Sequence, residues 1–309
     1  MSDHPVTRLD HLDPAVARAV RDLALRAETE DGIEALGEQT LLQLTGEADV
    51  VHLLLDRDAG TEGGSTAAAP LAGYAQLDRG TASAELVVDP GARRAGRGSA
   101  LLGAVLTEGA ATGLADLRVW AHGDLPGAQA LAARSGLVVR RELWQMSRPL
   151  TEAAGPATAT PPGVTPPGVT VRPFVVGQDE QAWLEVNARA FADHPEQGRM
   201  TLRDVEARQG EPWFRAEDLL LAEQDGRLVA SAWMKVEPGA EDGELYALGV
   251  DPAAQGSGLG RHLTALVLAH LRDRGLARAT LYVEAENAAA VRTYTRAGFE
   301  RSRVDVQYG

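Results

Sequence analysis

A strand, a turn and a helix recur in this chain at a fixed interval, and that interval decides what the chain can fold into. Leu248-Gly249-Val250 runs into Asp251-Pro252. Then Gln255-Gly256-Ser257-Gly258-Leu259-Gly260-Arg261 opens a helix with Leu263, Leu266, Val267 and Leu271 on one face. Earlier, Leu86-Val87-Val88 runs into Asp89-Pro90. Arg93 and Arg94-Ala95-Gly96-Arg97-Gly98-Ser99 then open a helix carrying Leu101, Leu102, Val105 and Leu106. The offset from Val88 to Val250 is 162 (250 − 88), and it also relates Arg93 to Gln255, Gly96 to Gly258, Gly98 to Gly260 and Gly136 to Gly298. One register held over roughly 50 residues means a duplicated supersecondary unit, here an α/β module. Each copy ends a strand in a glycine turn at a helix N-terminus. The first helical N–H groups there have no intrahelical partner, and the helix dipole adds partial positive charge. Glycines let the backbone approach a phosphate closely, so each turn is a candidate pyrophosphate site.

The remaining chain reads as two passes through one order of elements. In the first, Asp13-Pro14 starts a helix with Val16, Val20, Leu23 and Ala27 on one face, and a second helix is expected over Glu34 to Leu44. Strands follow at Val50–Leu55, Leu71–Leu77, Ala84–Val88 and Leu117–Ala121, then a helix at Ala128–Arg134 and a closing strand at Leu137–Met146. The second pass has a strand at Val169–Phe174 and a helix at Asp179–Ala190, with another helix after Thr201. Its strands are expected at Leu219–Glu223, Leu228–Val236, Glu244–Val250, Ala279–Glu284 and Phe299–Val306, the last two separated by a helix at Ala288–Arg296. Between the passes the chain repeats Pro-Pro-Gly-Val-Thr, a semi-rigid linker. The expected domains are 1–150 and 169–309, joined by 151–168.

Composition removes several function classes. With 30 Lys+Arg against 44 Asp+Glu, the net charge is −14, the wrong sign for a nucleic-acid footprint. There is no cysteine, hence no disulfide or thiolate metal site, and no ligand cluster suggests a metal. No apolar run approaches the ~18 residues of a membrane span, and MSDHPVTRLD has no signal-peptide core. The expectation is a cytoplasmic monomer with no nucleic-acid or membrane partner.

The repeated Gln/Arg-x-x-Gly-x-Gly turn resembles that of the GCN5-related N-acetyltransferase (GNAT) family, as does Asn287-Ala288-Ala289-Ala290-Val291-Arg292-Thr293-Tyr294. The resemblance implies two tandem α/β domains, each a mixed, mainly antiparallel sheet flanked by helices. It implies acetyl-CoA as co-substrate. The turn residues 94–99 and 255–261 would hold the pyrophosphate, strand ends 86–88 and 248–250 the pantetheine arm, and Asn287 to Arg292 would complete the cofactor contacts. More narrowly, GEQ at Glu38, WAHG at Trp120 to Gly123, HPEQG at His194 to Gly198, Trp233-x-Lys235-Val236 and Tyr282-Val283-Glu284 are similar to motifs of the mycothiol synthase family. That family acetylates the cysteinyl amine of a cysteinyl-glucosaminyl-inositol. The substrate contacts it implies are Glu38, Glu196, Lys235, Glu244 and Tyr282, with the substrate lying where the two modules meet.

Catalysis is assigned to the second module. In this fold a tyrosine near the sulfur supplies the leaving group's proton, and Tyr294 fits the motif. The matching positions of the first copy hold Ala132 for Tyr294 and Leu125 for Asn287. The first module is therefore expected to bind acetyl-CoA without turning it over. Glu244, on the strand that ends at the turn, is the expected base. Deprotonating an α-amine of pKa near 8 at pH 7 costs only about 1.4 kcal/mol, within reach of a carboxylate acting through water. Three other readings stay open: a tandem acetyltransferase for another amine, such as an aminoglycoside or a protein N-terminus; a CoA-binding module without turnover; and catalysis by both modules.

Overall fold

The structure, a computed structural model, describes residues 4–46, 48–56, 70–150, 165–192 and 197–309. The expected loop at Thr61–Pro70 and the linker lie almost wholly outside these residues. Along the chain the elements are β1 (Thr7–Leu9), α1 (Pro14–Asp31), α2 (Glu38–Leu42), β2 (Val50–Asp56), β3 (Leu71–Asp78), β4 (Ser83–Val88), α3 (Arg97–Ala111), β5 (Arg118–Ala121), α4 (Pro126–Arg134) and β6 (Val139–Pro149). The second pass has β7 (Val169–Pro173), α5 (Glu180–Ala190), α6 (Leu202–Gln209), β8 (Leu219–Gln224), β9 (Arg227–Lys235), β10 (Asp242–Val250), α7 (Leu259–Asp273), β11 (Arg278–Glu284), α8 (Ala288–Arg296) and β12 (Glu300–Tyr308). The expected helix over Glu34–Leu44 is the five-residue α2 alone. Its start is set by a non-local contact, Gly37 N–H donating to Glu85 Oε2 at 2.7 Å.

Two compact units result, and they do not follow the linear order expected from the linker. The first is Met1–Glu142 together with Val304–Gly309; the second is Leu143–Arg303. The cause is an exchange of closing strands. In the second unit Leu143–Pro149 of β6 pairs antiparallel with β11 along its whole length. In the first unit Val306, Gln307 and Tyr308 of β12 pair antiparallel with Ala121, Trp120 and Val119 of β5. β6 and β12 are the closing strands of the two copies, so each can complete the other's sheet.

The first unit's strands run β1-β2-β3-β4-β5-β12, with only β4 and β5 parallel. α1 buries Ala17, Val20, Leu23 and Ala27 on one face, against Leu54, Tyr74 and Val87. α3 buries Leu101, Leu102 and Val105 on the other face, against Leu53, Leu55, Ala75 and Leu77. The second unit runs β6-β11-β10-β9-β8-β7, with only β10 and β11 parallel. Here α7 packs Leu263, Val267 and Leu271 on Met234, Leu245 and Leu281, and the opposite face holds Trp183, Val205, Trp213 and Trp233. Each is a mixed, mainly antiparallel sheet between helices.

The copies also share a polar device. Asp89 accepts from Gly91 N (3.0 Å) and from Arg26 Nε of α1 (2.9 Å). Asp251 accepts from Ala253 N (2.9 Å) and from Arg189 Nε of α5 (2.7 Å). Each pair ties the turn after the central strand to the first long helix of its unit.

Candidate active site

In each unit the parallel ladder is short, and the strands part beyond it. β10 pairs with β11 only from Asp242↔Arg278 to Leu245↔Leu281, while the rest of β10 stays on β9. β4 pairs with β5 only at Ser83↔Arg118 and Ala84↔Val119. The gap in each sheet leads to the glycine turn.

At the turns the backbone is held as a close anion approach needs. Gly256 and Gly258 have φ of 78° and 90°, and Arg94 and Gly96, their counterparts, 64° and 84°. The helices that follow, α3 and α7, have no side-chain cap at their N-termini. By contrast Thr201 caps α6 and Asn287 caps α8. The uncapped first-turn amides of α7, at Leu259, Gly260 and Arg261, and those of α3, at Arg97, Gly98 and Ser99, fit a pyrophosphate. Gln255 Nε2 donates to Val250 O (3.3 Å), Ser257 Oγ to Ala254 O (2.6 Å) and Arg97 Nη1 to Ala92 O (3.1 Å), so these side chains brace the turns. Arg93 is spent on a bidentate pair with Asp31, both bonds 2.7 Å, rather than directed at an anion. Ala95 O meets His4 Nε2 at 2.6 Å.

The strand ends differ in packing. Leu86 and Val88, with Leu248 and Val250, lean on the α3 and α7 cores, and Val87 is buried on the α1 side. Gly249 is glycine for a steric reason: a Cβ there would lie 3.1 Å from both Ala190 Cβ and Phe191 Cε2.

The second unit adds a feature the first lacks. Leu245 pairs with Met234 but Ala247 with Trp233, leaving Tyr246 as a one-residue bulge. A bulge shifts the two-residue alternation, so Leu245 before it and Leu248 and Val250 after it all join the α7-side core. Glu244 thereby lies on the α5 face. It is opposite Lys235 on β9 and Thr280 on β11, and half-buried. In the first unit β3 and β4 keep unbroken register from Gly73↔Val88 to Asp78↔Ser83.

Around Glu244, Lys235 Nζ pairs with Glu237 (3.1 Å) and lies over the rings of Trp213 (5.1 Å) and Tyr246 (5.9 Å). Tyr246 Oη accepts from Arg208 Nε at 2.6 Å. Tyr282, on β11, accepts from Gln145 Nε2 (3.1 Å) and Arg303 Nη2 (2.6 Å). Tyr294 is the one buried residue of α8, edge-on to Phe299 with ring centroids 6.0 Å apart. Burial pushes its phenol up to about 12, so it is protonated throughout the neutral range. Asn287 Oδ1 accepts from Ala290 N (3.0 Å) and is occupied as a helix cap; Ala288, Ala289 and Arg292 are exposed. Thus Glu244, Lys235, Tyr282 and Tyr294 belong to one unit. Glu38, half-buried at the first turn of α2, belongs to the other. Glu196 and His194 lie outside the described residues.

Sequence reasoning missed a cluster in the first unit. Glu85, half-way along β4, has His122 Nε2 at 3.4 Å from its Oε1. His122 Nδ1 lies 3.3 Å from Asp305 Oδ2 on β12, and Asp305 Oδ1 accepts from Gly123 N at 2.6 Å. The three side chains are 12%, 16% and 2% exposed, a buried cation between two carboxylates. Burial opposes the charge on His122, but Glu85 and Asp305 outweigh it and raise the imidazole to about 10. Comparing the copies would have flagged the pair, since the matching positions hold Ala247 and Glu284. Among the described residues no group of three His, Cys, Asp or Glu could hold a metal ion.

The acetyltransferase (GNAT) family model matches residues 183–299. A mycothiol acetyltransferase of Cellulomonas flavigena is 55% identical, over 96% of this chain and 86% of its own length. Another, of Sanguibacter keddieii, is 52% identical over 96% and 93%. Among solved structures, a tandem GNAT protein from the clavulanic acid biosynthesis pathway matches with a TM-score of 0.71 at 17% identity, over 99% of this chain and 98% of that one. A GCN5-related N-acetyltransferase of Sphaerobacter thermophilus matches at 0.66 and 24%, over 99% and 96%. These two speak to the fold alone.

Proposed function

The chain belongs to the mycothiol acetyltransferase family of GNAT enzymes, and from that premise we propose that its second unit performs the chemistry, with Glu244 and Tyr294 at the reacting atoms. The reaction is transfer of acetyl from acetyl-CoA to the cysteinyl amine of desacetylmycothiol, a cysteinyl-glucosaminyl-inositol, giving mycothiol and CoA. Acetyl-CoA is a co-substrate, and no resident metal is needed.

The observation that carries the assignment is the asymmetry between the copies. Both have a strand gap and an uncapped glycine turn. Only the second has the bulge at Tyr246, a carboxylate at Glu244 opposite Lys235, and a tyrosine on its last helix. Glu244, through a water, takes the proton from the ammonium. The free amine attacks the thioester carbonyl, the C–N bond forms, the C–S bond breaks, and the second proton that nitrogen sheds passes through water to the departing sulfur. Tyr294 faces the leaving sulfur as a neutral O–H donor. Its raised pKa, about 12, against about 8.5 for a thiol makes complete proton transfer uphill by roughly 5 kcal/mol. Tyr294 therefore hydrogen-bonds the sulfur while the C–S bond breaks, rather than protonating a finished thiolate. Lys235 and Tyr282 hold the sugar and inositol hydroxyls, as charged and phenolic donors suit. The backbone at residues 248–250 takes the pantetheine, and the turn at 255–261 takes the pyrophosphate. The first unit's strand end and turn bind acetyl-CoA without turnover.

Single-turnover rates with a panel of amines test the reading. The cysteinyl pseudodisaccharide should react fastest; equal rates with an aminoglycoside or a peptide N-terminus would overturn the substrate assignment. We read the chain as a monomer acting in the cytoplasm, away from nucleic acid and membranes. No helix among the described residues is long and apolar enough to cross a membrane. Light scattering at working concentration tests the oligomeric state.

A further inference from the structure

Both units carry a carboxylate near the end of the parallel ladder, on the face away from the helix that follows the turn, although the 162-residue offset pairs Glu85 with Ala247 and not with Glu244. Glu244 is one residue before the last parallel pair of β10 and β11, on the α5 side. Glu85 is one residue beyond the last parallel pair of β4 and β5. It faces the α1 and α2 side, since its β4 neighbours Ala84 and Leu86 join the α3 core. In the second unit the position matching His122 is Glu284, which offers no cation. In the first unit His122 leaves the end of β5 and reaches across the strand gap to Glu85.

From this geometry we infer that the first unit contains a carboxylate site for a compact cation, on the same side of its sheet as the amine-accepting carboxylate of the second though not in register with it, and filled by its own His122 in place of a ligand ammonium. The correspondence rests on reading Glu244 as the carboxylate that faces the amine.

The carboxylates that flank His122 suit a held cation. Glu85 of β4 and Asp305 of β12 flank the ring, at 3.4 and 3.3 Å. Trp120 of β5 stacks on it, with centroids 6.2 Å apart and planes within 8°. From α2, Gly37 N–H donates to Glu85 and so supports the carboxylate. A Cβ at Gly37 would lie 2.9 Å from Glu85 Oε1, so a larger residue there would push the carboxylate aside. His122 Nε2 is itself buried without a well-aligned hydrogen bond, so its contact with Glu85 is an ion pair across a gap rather than a tight bond. A buried carboxylate left without a cation is costly, so removing His122 leaves a site that binds a replacement. The occupant class is a small planar or compact organic cation, with imidazolium as the closest mimic. The pairing also gives a reason for silence in this unit beyond the absence of a tyrosine: the carboxylate is already engaged.

The test uses the full chain. In the intact protein, nitrogen-15 NMR of labelled histidine, with the ring identified by its contacts to Trp120, should find His122 doubly protonated at about pH 8, where a free histidine is neutral. A neutral ring at that pH overturns the inference. His122→Ala should melt lower than the parent and regain several degrees of Tm with added imidazole, in a saturating manner. Neither the parent nor His122→Ala/Glu85→Gln should respond. A folded His122→Ala protein indifferent to imidazole overturns the inference. The NMR result stands even where the variant does not fold. Glu244→Gln, assayed for amine turnover, tests the catalytic reading separately, since neither the melting nor the NMR readout involves catalysis.

Discussion

Tyr294 and His122 show burial acting on titratable groups in opposite ways. For Tyr294, desolvation stands alone and holds the phenol neutral up to about 12. Tyr294→Phe should therefore keep the fold and lose about 10²–10³-fold in kcat, the usual worth of one donor aimed at developing charge, which stopped-flow thiol release would measure. The parent should show no tyrosine limb in its rate profile near pH 10. The folded pKa is raised above the unfolded one, so this stabilisation is whole below about 10 and is lost as pH rises through about 12. In thermal melts across that window the parent should lose stability relative to Tyr294→Phe. For His122, the flanking carboxylates win over burial. Its contribution is complete below the unfolded value of 6.5 and declines as pH rises through about 10. Glu85 is shifted down, burial opposing and His122 prevailing, so its share fades instead as the solution is acidified. Hydrogen-exchange protection factors at Val119 and Trp120 should be highest between these limits, and His122→Gln should remove the alkaline decline.

At the scale of elements, the glycine turns were the most legible part of the chain, because positive φ is a local demand that glycine alone meets without strain. The copies differ there in an instructive way. The second has Gly256 at φ 78°, the first Arg94 at φ 64°. Gly256→Ala should cost about 1 kcal/mol, all of it backbone, since a Cβ at that position meets no atom within 4 Å. Arg94→Gly should be neutral or stabilising by a similar measure; urea melts of the pair would show the opposite signs. What stayed illegible was set by non-local contacts. The periodicity of Glu34 to Leu44 suits a longer helix than the five residues that form, because Glu85 takes the Gly37 amide. The bulge at Tyr246 leaves no mark in composition, yet it turns Glu244 to the face that carries Trp213 and Tyr246. Arg93 stands at the head of the repeated turn, but its partner is Asp31, 62 residues away, which no local pattern marks.

On the scale of the whole molecule, the repeat was visible and its interchange was not. β6 and β12 hold equivalent places in the two copies, yet each pairs in the unit of the other copy. The consequence can be measured. Residues 1–150 alone lack the strand that pairs with β5, and 169–309 alone lack the strand that pairs with β11. Expressed singly, neither should give a cooperative melt, whereas beads on a string would each give one. Deleting 304–309 should selectively expose the amides of β5 and free His122 from Asp305 while β8 to β10 remain protected.

The exchanged strands also impose an order on biosynthesis. Residues 304–309 leave the ribosome after every other part of both units, yet they belong to the unit that begins at the N-terminus. The usual sequence, in which the first domain folds while the second is being made, is unavailable here. The nascent first unit waits with one sheet edge open, and it is finished last.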